Sequence, residues 1–512
     1  MEFIALIIFI VIMFTVIKKA FELFGFAIFS TGSATANRLN PLLRFGWILA
    51  KGFNSSNGMM NERDQHKLFL TSNKGLLLDG KNKRLSLKNS FNHLALVSRT
   101  GAGKTTSYVV PNILKLAREK NSMVITDISG ELYENTSGYL AENGYKIYVL
   151  NPEDLEESIG YNPLYYATDS TKIDELAGLL ISSSKDTNYN GKDAFWDSGA
   201  KSLISILIRV LMSMGNHRYI NLANVRHLIN NYGADGEALF PLIEKYADDK
   251  TYHEFRGFIK GNPSTTLSMV SSANIALSAI GINDNLEKLT TNHSIDFNKI
   301  REEKSVIYIK IPGQKQKQYR FLLNIFYHQF FSQMMEKLPT KKDLPIFCLL
   351  DEFGNMNLPN FDNTVTTIRK YNISLSLIFQ DVAQIEQKYG KSNASTILNG
   401  GISSQLYFNG ADLDTTEKLS KILGTREKIT LDPNGNYHFK DKRVMEAHEI
   451  RTIKDNEALF IMGNKKPLII KFKPYYEDFM FKRYAKINSY KSKSHMSMDI
   501  EYIDLYSTKE EE

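Results

Sequence analysis

Short, mostly apolar runs rich in β-forming residues recur along the chain and form its most regular pattern. The clearest seven lie at residues 94–97, 123–126, 147–150, 306–311, 346–350, 375–379 and 405–408. Most of them lack the alternation of polar and apolar residues that marks a sheet with one solvated face, and helical patterns separate many of them. Because the strands of a parallel sheet are buried on both faces, the pattern predicts an α/β fold with a mainly parallel sheet.

Two stretches depart from this pattern. Between residues 150 and 306 strands are scarce and long amphipathic stretches such as 194–212 have apolar residues at helical spacing. This spacing predicts an inserted all-α domain over residues 160–300. Apolar runs at 458–462 and 468–472 flank a Gly-Asn-Lys-Lys-Pro turn, which predicts an antiparallel hairpin that closes the sheet.

The chain begins with an apolar stretch, residues 3–17, followed by two lysines and a second apolar patch. We interpret residues 1–60 as a membrane anchor, with one transmembrane helix within 3–29 and a possible second segment at 39–53. The first stretch is shorter than the roughly 20 residues of a perpendicular span, but lysine side chains can extend to the bilayer surface. The second segment is either another crossing or an interfacial helix.

Charge predicts the orientation of this anchor. Basic residues follow the apolar stretch, whereas only Glu2 and the terminal amine precede its core. The positive-inside rule therefore places the rest of the chain in the cytoplasm. A cleaved signal peptide is the alternative, because Ala34-Thr35-Ala36 resembles a cleavage site, although the usual basic segment at the start is missing.

The overall composition is that of a folded protein. The 512 residues are 43% hydrophobic and 23% charged, which excludes wholesale disorder. The formal net charge of +7 permits contact with nucleic acid or an anionic membrane without arguing for either. The single cysteine, Cys348, cannot form an internal disulfide and is expected in the core. Residues 486–512 are polar and then acidic, so we expect this tail to be disordered.

A glycine-rich loop follows the first apolar run and precedes a predicted helix. Its residues are Ser98, Arg99, Thr100, Gly101, Ala102, Gly103, Lys104, Thr105 and Thr106. Glycines allow consecutive backbone N–H groups to converge on phosphate oxygens, and the helix terminus adds its positive dipole end. In this loop class the lysine contacts the outer phosphates and the next hydroxyl ligates Mg²⁺, roles that fall to Lys104 and Thr105. The loop predicts a nucleoside triphosphate site, although Ser98 replaces the first consensus glycine.

An acidic pair at the end of another predicted strand supplies the second half of this site. Asp351 and Glu352 directly follow the apolar run at 346–350. Asp351 is positioned to hold Mg²⁺ through water, and Glu352 to orient the attacking water for phosphoryl transfer. The combination of loop and acidic pair indicates hydrolysis of the nucleotide.

Two further residues are candidates for the chemistry. Gln380 directly follows the run at 375–379, where its amide could sense the terminal phosphate. Arg369 lies on a predicted helix that, in a ring, approaches the nucleotide of the neighbouring subunit and could stabilise transition-state charge in trans. A solvated or DNA-facing Arg369 and an ordinary strand-end Gln380 remain alternatives.

Several longer motifs occur in a characteristic order. Besides the loop at 98–106, they are Asp127-Ile128-Ser129-Gly130-Glu131-Leu132-Tyr133, Gly144-Tyr145-Lys146-Ile147-Tyr148-Val149-Leu150-Asn151-Pro152, Phe195-Trp196, Leu350-Asp351-Glu352-Phe353-Gly354-Asn355 and Leu419-Ser420-Lys421-Ile422-Leu423-Gly424. Together they resemble the coupling proteins of type IV secretion and conjugation systems, relatives of the hexameric RecA-like DNA translocases. At residues 127–131 that family usually has Asp-Pro-Lys-Gly-Glu, whereas this chain has Ile128 and Ser129 in place of the proline and the lysine. A charge role for the missing lysine is therefore in doubt.

The resemblance implies a RecA-like P-loop NTPase core formed by residues 61–160 and 300–485. It also implies a membrane-anchored ATPase that uses ATP and Mg²⁺ and assembles as a homo-hexamer at a type IV secretion channel. Such a protein recruits a relaxase with its attached single-stranded DNA and drives this substrate into the channel. The helical insertion looks like the family's substrate-receiving all-α domain.

Within the insertion, simple packing arguments give local expectations. Aromatic residues on an apolar helical face usually pack, so Phe195 and Trp196 are expected in the core rather than as a base-stacking platform. Lys201 and Arg209 are expected to be solvated.

Other functions fit the same motifs. One alternative is a receptor of the same architecture that passes protein effectors without DNA. Another is a membrane scaffold that uses nucleotide only for assembly. A septal chromosome pump fits less well, because the short anchor and the helical insertion resemble coupling proteins better.

Overall fold

The computed structural model describes residues 58–184, 194–431 and 437–505, with the backbone alone at 428–431 and 437–439. These residues form two compact units, one of residues 58–68 and 406–471 and the other of residues 69–405 and 472–505. The membrane segments predicted at 3–29 and 39–53 lie outside the described residues. Within the described ranges, no helix is both long and apolar enough to span a bilayer.

The larger unit is built on six parallel strands in the order β1–β6–β5–β2–β4–β3. Their bounds are β1 (Leu94–Val97), β2 (Ser122–Asp127), β3 (Lys146–Leu150), β4 (Ser305–Lys310), β5 (Ile346–Leu350) and β6 (Ile373–Phe379). Nearly all of their side chains are buried, as in a parallel sheet with both faces covered. Each strand coincides with a predicted apolar run to within two residues, so the predicted parallel sheet is confirmed.

The remaining strands belong partly or wholly to the smaller unit. The seventh predicted strand, β7 (Ser404–Phe408), crosses the boundary between the units. Two antiparallel hairpins follow, β8 (Thr425–Leu431) with β9 (Tyr437–Arg443) and β10 (Glu457–Met462) with β11 (Leu468–Lys471). The second hairpin lies where the sequence predicts one. The first escapes prediction because its strands are rich in charged residues and lack an apolar run.

Helices connect and flank these strands. They are α1 (Glu62–Leu68), α2 (Leu87–Ser90), α3 (Val110–Leu116), α4 (Glu131–Glu142), α5 (Ser170–Ser184), α6 (Ala194–Ser213), α7 (Leu222–Asn230), α8 (Phe240–Tyr246), α9 (Asp249–Ile259), α10 (Pro263–Ala276), α11 (Ser278–Ile282), α12 (Asp284–Thr291), α13 (Arg320–Met335), α14 (Phe361–Thr367), α15 (Val382–Ser395), α16 (Leu413–Leu423), α17 (Ala447–Arg451) and α18 (Phe479–Tyr484). Between β3 and β4, the residues that the structure describes form helices and no strand. The helical character predicted from the spacing of apolar residues is therefore observed in this stretch, and the domain bounds of 160–300 stay a prediction.

The longest helix of the insertion, α6, shows why this region folds. Its buried residues include Leu203, Ile204 and Leu207, and it packs against α5 and α10. Leucine and isoleucine at helical spacing thus form one apolar face, and burial of each such side chain contributes about 1.5–3 kcal/mol.

Two side chains of α6 differ from expectation. Phe195 lies in the first turn of the helix with 62% of its surface exposed, and its ring meets Trp196 edge to face at a centroid distance of 5.2 Å. The expectation that Phe195 lies in the core is therefore wrong. Arg209 is also not simply solvated, because it pairs with Glu254 and its side chain is largely buried. Lys201 forms an ion pair with Asp174 at 2.6 Å on a more exposed surface.

The C-terminal tail also differs from what its composition predicts. Residues 486–505 follow an extended path without a helix or strand, yet they make specific contacts. The Ser494 N–H donates to the carbonyl of Glu156 at 2.7 Å. On α4, Gly138 permits close approach, because a Cβ there would lie 2.0 Å from the carbonyl oxygen of Asn488. Long-range contacts order this segment, and local composition cannot reveal them.

Candidate functional site

The glycine-rich loop leaves β1 and enters α3 through a turn of π-helix, Thr105–Val109. Gly101 and Gly103 both have positive φ angles, of 80° and 84°. An added Cβ at Gly101 would meet no atom within 4 Å, so the left-handed backbone rather than a lack of space favours glycine there. Turns of this kind direct successive backbone N–H groups to one side, the arrangement that binds phosphate.

The start of the loop is tied to the end of β6. Ser98 is buried and its N–H donates to the carbonyl of Phe379 at 3.1 Å. Arg99 and Thr100 are exposed, and the N–H of Ala102 donates to the carbonyl of Arg99 at 3.3 Å. Ser98 does not adopt a positive φ, so serine occupies the place of the first consensus glycine without backbone strain.

Lys104 stands at the start of the helix that follows the loop. Thr105 and Thr106 are half-buried in the first turn, and the Thr106 hydroxyl donates to the carbonyl of Gly103 at 3.2 Å. Lys104 itself is only 9% exposed. Burial of an isolated ammonium is unfavourable, so the Lys104 ammonium needs a negatively charged or hydrogen-bonding partner.

The ammonium of Lys104 lies against the acidic pair at the end of β5. It donates a hydrogen bond to the Glu352 carboxylate and lies 3.9 Å from Oδ1 of Asp351. Glu352 has a left-handed backbone with φ of 54°, and its N–H donates to Asp351 Oδ1 at 3.1 Å. Residues far apart in sequence thus form one charged cluster where two strands of the sheet end.

Gln380 completes this cluster from the end of β6. Its Nε2 donates to the two carboxylate oxygens of Glu352 at 3.2 and 3.5 Å. The N–H of Gln380 donates to Oε1 of Gln384 at 3.2 Å. Gln384 also packs on Gly354, where an added Cβ would lie 2.3 Å from its Oε1. Sequence reasoning missed Gln384, although its place four residues after Gln380 at the start of a helix was a usable signal.

Arg369 does not lie with this cluster. It is exposed in the turn Ile368–Tyr371, ahead of β6. Burial lowers the pKa of His93 to about 3, and the nearby charge of Arg369 contributes to this shift. His93 precedes β1 whereas the glycine-rich loop follows it, so within one chain Arg369 lies towards the opposite ends of the strands from Lys104.

The motif around Asp127 lies at the end of β2, next to β5 in the sheet. Asp127 is buried, its Oδ2 accepts from the N–H of Tyr133 at 2.7 Å, and burial raises its pKa. Glu131 is exposed. A lysine from another strand occupies this neighbourhood, because Lys310 of β4 is in register with Asp127. Sequence spacing could not show it, since the two residues come from distant parts of the chain.

Lys310 has its own partners in this place. Its ammonium lies 2.6 Å from Oε2 of Glu157 and 4.6 Å from the ring centroid of Tyr133. Its Cε lies 3.7 Å from where a Cβ of Gly130 would stand. A cation therefore borders the Asp-Ile-Ser-Gly-Glu motif even though the motif itself has no lysine.

Burial dominates the electrostatics of Asp351. It raises the pKa of this carboxyl to about 6, with the charge of Lys104 opposing the shift and the charge of Glu352 adding to it. Because burial disfavours the ionised carboxyl, a cation beside Asp351 stabilises its negative charge.

This shift predicts a pH dependence of stability. The pKa of an unfolded aspartate is about 3.9, so between about pH 4 and pH 6 the folded protein retains a proton that the unfolded chain has released. The contribution of Asp351 to the free energy of unfolding should therefore fall as pH rises through this window, by up to about 2 kcal/mol. Chemical denaturation of nucleotide-free protein at pH 4.5, 5.5 and 6.5, beside Asp351→Asn, measures it. A difference between the two proteins that does not change with pH would contradict it.

Most of the chain matches a known protein family. Residues 47–498 match the family described as Type IV secretory system Conjugative DNA transfer. The chain is 24% identical over 416 residues to protein VirD4 of Rhizobium radiobacter, covering 76% of this chain and 58% of VirD4. It is 22% identical over 414 residues to conjugal transfer protein TraG of Rhizobium radiobacter, covering 76% of this chain and 63% of TraG. The chain thus spans less than two thirds of the length of these relatives.

Solved structures support the same fold. The bacterial conjugative coupling protein TrwBdeltaN70 in its unbound monoclinic form aligns with a TM-score of 0.64 and 17% identity, over 81% of this chain and 92% of that one. Plasmid coupling protein TrwB in complex with ADP and Mg²⁺ aligns with a TM-score of 0.64 and 16% identity, over 84% of this chain and 96% of that one. This likeness confirms the RecA-like α/β fold class. Because the family match covers most of its length, the chain belongs to the type IV secretory system conjugative DNA transfer family.

Proposed function

We propose that this chain is a conjugative coupling ATPase that brings a relaxase with its attached single-stranded DNA to a type IV secretion channel and uses ATP hydrolysis to drive the transfer. One observation carries the proposal: Lys104 of the glycine-rich loop contacts Glu352 and lies beside Asp351, in a chain of a DNA-transfer family. A phosphate-binding loop opposite an acidic pair is the arrangement that nucleotide hydrolysis requires.

ATP and Mg²⁺ are the cofactors that we assign to this site. TrwB is described in complexes with ADP and Mg²⁺ and with a non-hydrolysable ATP analogue, and we extend both ligands to this chain. The backbone of residues 98–106 would cradle the phosphates. Thr105 would ligate Mg²⁺ directly and Asp351 through water, which suits an ion that keeps part of its hydration shell.

The remaining residues of the cluster receive roles in the proposed reaction. Lys104, whose ammonium contacts the carboxylate of Glu352, would bind the outer phosphates, and Glu352 would orient the attacking water. We assign to Gln380, which is hydrogen-bonded to the same carboxylate, the role of sensing the terminal phosphate.

Assembly of several subunits would bring an arginine to the nucleotide site. Arg369 is exposed and lies away from Lys104 within one chain. In a homo-hexameric ring, a neighbouring subunit could bring its Arg369 to the phosphates, where a guanidinium stabilises developing negative charge. We further propose that residues 3–29 anchor the ring in the cell membrane with the ATPase in the cytoplasm, next to the channel.

The direct test is the response of hydrolysis to DNA. We expect the purified full chain to hydrolyse ATP several-fold faster with single-stranded DNA, and this stimulation to weaken as salt rises, because contact would be mainly to phosphates. Initial rates with and without DNA across a salt series measure this, with heparin as a polyanion control. No response to DNA would favour an effector receptor or a scaffold. Crosslinking during transport would then show whether DNA or only protein touches the chain.

A further inference from the structure

The last described residues of the chain lie on the helical insertion, and the way they are held is specific. Asn292 makes two hydrogen bonds to Ser497: its Oδ1 accepts from the Ser497 N–H and its Nδ2 donates to the Ser497 carbonyl, both at 2.9 Å. A single carboxamide therefore satisfies both backbone groups of one residue, as a neighbouring β-strand would.

A second carboxamide bonds the backbone of the segment at two residues farther along. Asn224 is fully buried near the start of α7. Its Nδ2 donates to the carbonyl of Glu501 at 2.9 Å and its Oδ1 accepts from the N–H of Ile503 at 3.0 Å. These two groups are two residues apart, which is the pattern of a parallel strand pair. The Nε2 of His227 lies 3.0 Å from the carbonyl oxygen of Ile503 and extends the contact.

Side chains of the segment alternate between the insertion and solvent. Ile503 and Leu505 are buried, at 5% and 8% exposed, whereas Tyr502 between them is 45% exposed. The alternation is that of an extended strand with one face in contact. Backbone bonds to carboxamides together with burial of alternate side chains are the features of a site that recognises an extended peptide.

Two polar side chains of the segment also have partners on this surface. Residues 499–504 carry three acidic side chains and no basic one. Arg218 lies 2.7 Å from the carboxylate of Glu501, and the Tyr502 hydroxyl donates to Oε1 of Glu287 at 3.0 Å. The surface therefore suits a segment with an acidic residue opposite Arg218 and aliphatic residues two positions apart.

We propose that this surface of the insertion, formed by Asn224, His227, Asn292 and Arg218, is a peptide-binding groove. Residues 497–505 occupy it in cis, and an acidic, extended segment of a partner protein with the same aliphatic spacing binds it by displacing them. The tether gives residues 497–505 an effective concentration in the millimolar range, roughly, so a partner peptide binds the intact chain weakly. The proposal does not depend on nucleotide binding.

The test uses a fluorescein-labelled peptide of residues 497–505 and the full chain, without nucleotide, in an anisotropy titration. Ile503→Asp in the protein should displace the cis segment, and we expect it to lower the Kd of the peptide by at least about 10-fold relative to the unchanged chain. Adding Asn224→Ala should abolish this gain, and a peptide carrying the Ile503→Asp change should bind neither protein.

Two results would overturn the proposal. One is the absence of binding to the Ile503→Asp chain, and the other is equal binding to this chain and the unchanged one, because the peptide would then not compete with residues 497–505. If the Ile503→Asp chain lacks a cooperative thermal transition, Leu505→Ser opens the same groove with a smaller change and carries the same expectation.

Discussion

Replacement of Lys104 by alanine is expected to lower the rate of ATP hydrolysis by at least about 100-fold, the usual effect of removing a group that stabilises transition-state charge. Lys104 is buried and lies against both carboxylates of the acidic pair. Its loss removes the cation that would contact the outer phosphates and leaves Asp351 and Glu352 to repel an incoming anion. Steady-state rates and binding of a fluorescent ATP analogue measure the two effects.

A matched control is available on the protein surface. Lys74 also pairs with a carboxylate, that of Glu119 at 3.5 Å, but its side chain is 63% exposed. Lys74→Ala should leave hydrolysis unchanged, since exposed ion pairs contribute little. Transfer of DNA in cells should fail with Lys104→Ala and proceed with Lys74→Ala. Normal DNA transfer by the Lys104→Ala chain would contradict the proposal that ATP hydrolysis drives the transfer.

Glu352→Gln should separate binding from chemistry. Glutamine keeps the shape of the side chain and can still hydrogen-bond Gln380, but it cannot orient and polarise the attacking water as a carboxylate does. We expect ATP to remain bound while hydrolysis falls roughly 100- to 1,000-fold. The ratio of retained ATP to ADP after gel filtration, together with single-turnover rates, gives the result.

This variant also distinguishes the motor from a nucleotide-dependent scaffold. If nucleotide serves only assembly, Glu352→Gln should support DNA transfer at the normal frequency. Glu303→Gln is the control, because Glu303 forms an exposed ion pair with Lys146 at 3.2 Å. If the Glu352→Gln chain binds ATP, does not hydrolyse it and still transfers DNA, the result would favour a scaffold that uses nucleotide only for assembly.

The sheet and the central cluster were the parts most accessible from sequence. Buried parallel strands appear as short, mostly apolar runs, so β1 to β6 could be found from the sequence pattern. The glycine-rich loop and the acidic pair each have a local pattern. Because the carboxyl ends of parallel strands lie along one edge of the sheet, these patterns also suggested that Lys104 and Glu352 would meet.

The features that escaped prediction depend on contacts between distant segments. The hairpin of β8 and β9 has charged strands, so its pairing leaves no apolar pattern in the sequence. Lys310 approaches the motif at Asp127 because β4 lies beside β2, an order of strands that spacing alone does not give. Ser497 and Ile503 are held by side chains of remote segments of the chain, contacts that the composition of the tail does not reveal.

The separation of the two halves of the cluster has a consequence for synthesis. Lys104 and Glu352 are 248 positions apart in the chain, with the whole insertion between them. At translation rates of about 5–20 residues per second, the ribosome needs roughly 12–50 s to bridge this gap. A nascent chain therefore exposes its glycine-rich loop well before Glu352 can contact Lys104, and the cluster stays incomplete until β5 emerges.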